Sequence, residues 1–186
     1  MNIADKSKEY AKGKALDAMT AAIEQAYADG YNDGLKHYEN ERLESIVDGI
    51  EYKDLKLKSG TRWASSYVMD NEQVGKFTYE EASKLNLPTK EDYEELFYNC
   101  AKDYNLAKGN KGIKFTGKNG EELIIPYVKI NELQDIIKSE YFAFWLKDEG
   151  DEARKLYAYM RLTNSCDTPK LFMGYKLPVL LVRKEK

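Results

Sequence analysis

Apolar side chains recur at steps of three or four residues early in the chain, at Leu16, Met19, Ile23, Tyr27, Tyr31, Leu35 and Tyr38. That is the period of one helix face. Leu16, Tyr27 and Tyr38 repeat every 11 residues, which suits a straight or slightly right-handed supercoil rather than a heptad one. Residues 5 to 47 contain no proline and are rich in Ala, Lys and Glu. The stripe is narrow and its flanks are charged, so the helix alone is marginal in water and is expected to bury the stripe against something. Gly30 and Gly34 interrupt the pattern, each costing about 1 kcal/mol relative to Ala in a helix interior. Both lie on one face, which would admit a close neighbouring helix. The alternative, a break or kink near Asp29-Gly30, is favoured.

Beyond Val47-Asp48-Gly49-Ile50 the composition turns toward Tyr, Val, Ile and Phe, with turn signals at Lys58-Ser59-Gly60, Lys108–Gly112 and Lys118-Asn119-Gly120. The segments 113–115 and 123–125 read as a hairpin around Asn119-Gly120. Thr78 with Glu81, and Thr89 with Asp92, have the spacing of capping boxes. They predict helices over Tyr79–Lys84 and from Thr89 to about Lys102, the latter with an apolar face of Tyr93, Leu96, Phe97 and Cys100. Residues 131–140 suggest a further turn or two of helix. Strands are predicted at 141–146, 155–162, 171–174 and 177–183. Alternation in 141–145 and 157–159 suits strands with one buried face, and Trp63, Phe144 and Trp145 are expected in the core. The chain therefore reads as residues 1–48, a helical anchoring or oligomerisation segment, followed by residues 49–186, an α+β domain.

An ordered set of phrases carries a resemblance. It runs through Tyr52-Lys53-Asp54-Leu55, Ser59-Gly60-Thr61-Arg62-Trp63-Ala64, Leu87 to Leu96, Gly112 to Gly120, Leu123-Ile124-Ile125-Pro126, Tyr141 to Trp145, Leu156 to Leu162 and Leu177 to Arg183. Together these resemble the Fibrobacter succinogenes major paralogous domain, common in Bacteroidetes proteins and their phages. The resemblance implies a C-type-lectin-like fold of two helices, short antiparallel strands and long loops. It also implies a ligand face in the loops before the last strands, here about 146–154 and 163–176, with Asn164, Asp167, Lys170, Phe172 and Tyr175 as candidates. Fold alone does not dictate function.

Charge and chemistry narrow the field. The formal net charge is -3, with bases interspersed among acids, so no general pull toward nucleic acid or an anionic membrane is expected. No apolar run approaches the roughly 20 residues a spanning helix needs. The first residues lack the apolar core of a secretory signal, so the chain is expected to stay in the cytoplasm or to leave it by another route, such as packaging into a phage particle. The sole histidine, His37, lies in the helical segment, where no nucleophile–His–acid triad can be assembled. Cys100 and Cys166 are the two cysteines, expected to be unpaired, with a single bridge as the alternative. Neither the zinc ligand sets nor the carboxylate and amide triplets of calcium-dependent sugar binding are present in the sequence. Asp148-Glu149-Gly150-Asp151-Glu152 reads as a solvated acidic turn.

The expectation is a non-enzymatic protein with no metal and no cofactor. The stripe from Leu16 to Tyr38 would dock onto other virion or assembly proteins or join copies, a trimer being favoured. The favoured setting is a phage virion, as a head fibre or capsid decoration. The alternative is a bacterial surface or secreted module binding a protein or glycan. An enzyme of the formylglycine-generating kind, which the same fold hosts, is the third reading.

Overall fold

The computed structural model describes residues 2–104, 112–128, 130, 141–149, 152–161 and 166–184. The chain divides into two units, Met1–Ser45 and Ile46–Lys186.

The first unit is one helix, α1, Ile3–Glu44, about 63 Å long at 1.5 Å per residue. Asn2 starts it: its Oδ1 accepts from the Ala4 N–H at 2.8 Å, which satisfies one of the orphan donors of a helix start. Asp5 in the first turn complements the dipole. The break favoured near Asp29-Gly30 does not occur, because α1 passes through both glycines. A penalty of about 1 kcal/mol per glycine is local, and no proline or capping turn competes with the helix there. A Cβ built on Gly30 or Gly34 meets nothing within 4 Å, so neither glycine is explained by a close neighbour in this chain.

The second unit mixes helix with antiparallel strands. It opens with β1 (Ile46–Val47) and β2 (Ile50–Lys53), joined through Asp48 and Gly49 at positive φ of 52° and 77°. This is the mirror-image turn that Asp-Gly favours, because it matches the strand twist. β2 pairs with β3 (Thr61–Ala64), whose other edge takes β12 (Val182–Lys184), giving a sheet of order β1-β2-β3-β12. The two ends of the unit therefore meet on β3. A small hairpin, β4 (Met69–Asp70) with β5 (Gln73–Val74), follows.

Both capping boxes form. Thr78 and Glu81 start α2 (Tyr79–Ala82), and Thr89 and Asp92 start α3 (Lys90–Asn99). Both helices are shorter than the sequence suggested. Cys100 is already extended, and the next residues, Ala101–Asp103, form β6 instead of continuing to Lys102. β6 pairs with β7 (Gly112–Thr116), which pairs with β8 (Glu122–Pro126). The β7–β8 turn holds Asn119 and Gly120, with Gly120 at φ 82° and its N–H donating to the Gly117 carbonyl. The last sheet has the order β11-β10-β9, from β9 (Tyr141–Trp145), β10 (Arg154–Arg161) and β11 (Lys170–Phe172). The helix expected at 131–140 and the turn at 108–112 lie wholly or largely outside the described residues.

Burial explains the order of these pieces. Phe144 stands edge-on to Trp63 and Tyr93, with ring centroids 6.3 and 5.9 Å away, while Trp145 stands edge-on to Tyr79 and Tyr157. Consecutive residues of a strand point to opposite faces. Ala143 to Leu146 and Tyr157 to Tyr159 are nonetheless all buried. This corrects the expectation of one buried face: β9 and β10 are covered on both sides. The strand expected over 177–183 is likewise ladder-paired only at 182–184. Pro178 has no N–H, and the neighbouring carbonyls bond to scattered partners: Pro178 to Trp145, Val179 to Val68 and Leu181 to Ala64. The segment Leu177 to Val182 is apolar and, Pro178 included, buried throughout, so it threads the core before pairing with β3.

Candidate functional site

On α1 the residues at Leu16, Met19, Ile23, Tyr27, Tyr31, Leu35 and Tyr38 are all exposed, from 45% at Leu35 to 80% at Tyr27. Cover for the stripe was expected, and within this chain each of these side chains remains open to solvent. An exposed apolar stripe of this kind is a candidate interaction surface. His37 is exposed on the same helix.

The candidate ligand face implied by the resemblance resolves in part. Asn164 lies outside the described residues, as do Gly150 and Asp151 of the acidic turn. Asp167 is exposed, and its backbone bridges Tyr159. In β11 the burial alternates, so Lys170 and Phe172 point outward around a buried Leu171. Lys170 Nζ donates to Glu152 at 2.6 Å. Phe172 is 53% exposed, pairs in register with the exposed Arg154, and covers Gly174, where a Cβ would come within 2.8 Å of its ring. Tyr175 is half-buried and packs against the core. The structure thus joins Lys170 and Phe172 on one exposed strand face and leaves Tyr175 turned partly inward. The sequence reading missed Arg154 and Glu152 as their neighbours, because cross-strand register is not visible in a single segment.

The acidic turn is tied into the protein. Tyr79 Oη donates to the Asp148 carbonyl at 2.7 Å and accepts from its N–H at 2.8 Å. The Asp148 carboxylate accepts from the Leu156 N–H at 3.1 Å, and Glu149 pairs with Lys147. Among the described residues no group of three or more His, Cys, Asp or Glu is placed to hold a metal ion.

A shallow groove lined by Lys58, Ser59, Glu91, Asp92, Glu95 and Lys184 holds the one buried carboxylate among the described residues. Asp92 Oδ1 accepts from Thr61 Oγ1 and from Lys184 Nζ, both at 2.9 Å. Its Oδ2 accepts from the Thr89 N–H at 2.9 Å and from Thr89 Oγ1 at 3.0 Å. Burial alone would raise this carboxyl, but the Thr89 N–H, Lys184, Thr61 and the Thr89 hydroxyl together hold it below its ordinary value. Thr61 and Lys184 are themselves a cross-strand pair of β3 and β12. Asp92 therefore binds the start of α3 to the seam that closes the unit. That is a structural role, and all four of its donors are already engaged.

Both cysteines are free. Burial pushes the Cys100 thiol up and the Cys166 thiol to about 11, the opposite of what an activated thiolate requires. Cys100 also follows the C-terminal end of α3, where the dipole opposes a thiolate. No helix among the described residues is long and apolar enough to cross a membrane. No family profile, no curated protein and no solved structure matches this chain.

Proposed function

We propose that the chain is a non-enzymatic structural protein that joins an assembly through α1 and displays the 46–186 unit as a lectin-like head. A phage virion component, a head fibre or capsid decoration, is the setting this reading favours. The observation that carries it is the exposed apolar stripe on a helix about 63 Å long. A helix in a folded protein draws most of its stability from packing its apolar face, so burying this stripe on a partner surface would stabilise α1. The resemblance of the second unit to a domain common in Bacteroidetes proteins and their phages supports the virion setting. The raised thiols count against a cysteine-dependent enzyme.

The test is immunogold electron microscopy, with an antibody to residues 46–186, on virions purified from a host that carries this sequence. Label on the particles is expected. Unlabelled particles, with label confined to host envelopes, would overturn the virion setting. One feature favours the second reading, a surface or secreted binding module: Phe172 lies exposed beside Arg154 with Lys170 nearby, an aromatic and cationic patch suited to a protein or glycan ligand. Reproducible glycan-array binding that Phe172→Ala abolishes would support that reading, and a blank array would remove its glycan form.

A further inference from the structure

The apolar positions on α1 have a symmetry that their helical period alone does not require. The steps from Leu16 to Tyr38 are three, four, four, four, four and three residues, the same read in either direction. The centre is Tyr27. A two-fold axis there would bring Leu16 opposite Tyr38, Met19 opposite Leu35 and Ile23 opposite Tyr31, with the two Tyr27 side chains at the axis. At about 100° per residue the stripe drifts only about 40° over its length, so two nearly straight helices can stay in contact along all of it. Thr20 and Gly34 fall on the same face and also oppose each other. Neither carries a bulky side chain, so this small pair leaves room for close approach of the backbones.

Charge decides the direction. Residues 5–14 carry Lys6, Lys8, Lys12 and Lys14 against Asp5 and Glu9, whereas residues 39–44 carry Glu39, Glu41 and Glu44 against Arg42. A parallel pair or trimer sets like on like at both ends. An antiparallel pair sets the basic first turns beside the acidic last turns and opposes the two helix dipoles. An aromatic side chain buries about 150 Å² or more. Six tyrosines, with the leucines, isoleucines and methionines of two copies, are therefore enough to clear the roughly 1,000 Å² of a specific interface.

We propose that α1 pairs with α1 of a second copy, antiparallel, about a two-fold axis at Tyr27. This deepens the assembly reading by naming the partner of the stripe, and it departs from the trimer that the sequence favoured. The Ser45 ends of the two helices then lie about 54 Å apart.

Sedimentation velocity on the full chain at micromolar concentration is expected to show a dimer. Ile23→Asp should weaken association at least 100-fold and leave the tryptophan-fluorescence melt of the 46–186 unit unchanged. Under mild oxidation, with the parent chain as control for Cys100 and Cys166, Tyr27→Cys should form a covalent dimer. Leu16→Cys alone should not, and Leu16→Cys mixed with Tyr38→Cys should. Leu16→Cys cross-linking to itself, a trimer mass, or a monomer would each overturn the pairing. A monomer that still labels virions would separate this failure from failure of the display reading, since α1 would then dock on another protein.

Discussion

Asp92→Asn keeps the shape of a buried side chain and removes its charge, which isolates the role assigned to it. Each carboxylate oxygen accepts two hydrogen bonds, from Thr61 and Lys184 on one side and from the Thr89 N–H and hydroxyl on the other. An amide offers one oxygen, so one pair of donors must face an NH2 group. Hydrogen bonds to a charged group contribute about 1.5–3 kcal/mol each, while a half-exposed ion pair such as that of Lys184 is worth at most about 1 kcal/mol. Removing two bonds and weakening the rest gives a loss of about 3 kcal/mol, and for a unit of this size that lowers Tm by about 10 °C. Trp63 and Trp145 are the chain's two tryptophans and both lie buried in this unit, so a thermal melt followed by tryptophan fluorescence reads it directly. The pH dependence fixes the cause. The folded Asp92 carboxyl sits below its ordinary value, so its contribution is complete above the unfolded value, about 3.9. It is lost as pH falls through the folded value. The parent should therefore lead Asp92→Asn at pH 7 and converge on it in acid. Equal Tm at pH 7, or a gap that does not close in acid, would refute the reasoning.

Other expectations follow from the same contacts. Deleting residues 182–186 removes β12 and the Lys184 partner of Asp92, so the unit should lose its cooperative melt; a truncated chain melting like the parent would show that β3 does not need that edge. Gly30→Ala should stabilise α1 by about 1 kcal/mol, read as increased helical circular dichroism, and a loss of helix would mean that Gly30 sits at a bend. Cys166, pushed up to about 11, should react slowly with a thiol reagent at pH 7 and accelerate as pH rises toward that value. Fast labelling at neutral pH would reopen thiol chemistry.

The parts legible in the sequence were those set by local chemistry. Thr78 with Glu81 and Thr89 with Asp92 are capping boxes in the sequence and in the structure, because both partners lie within one turn. The α1 stripe follows from periodicity alone. What could not be read depends on partners far along the chain. Asp92 was visible as a helix-start residue, but its bonds to Thr61 and Lys184 come from strands 31 and 92 positions away in the sequence. Burial of β9 on both faces needs the rings of Trp63, Tyr79 and Tyr93, which no window around 141–145 contains. Two signals were present and not used. Asp48-Gly49 is a hairpin turn rather than only a boundary. Asn71 and Glu72, both at positive φ, turn β4 into β5. On the candidate ligand face, Lys170 and Phe172 emerge together because β11 alternates, while Arg154 joins them only through register with β10.

The measurement that tests the account most directly is the thermal melt of the full chain at several protein concentrations, followed in parallel by far-ultraviolet circular dichroism and by tryptophan fluorescence. If α1 is held by association and the 46–186 unit by its own core, the helical signal loses part of its amplitude in a first transition whose midpoint rises with concentration. The fluorescence midpoint stays fixed. A single transition shared by both signals and independent of concentration would contradict the account.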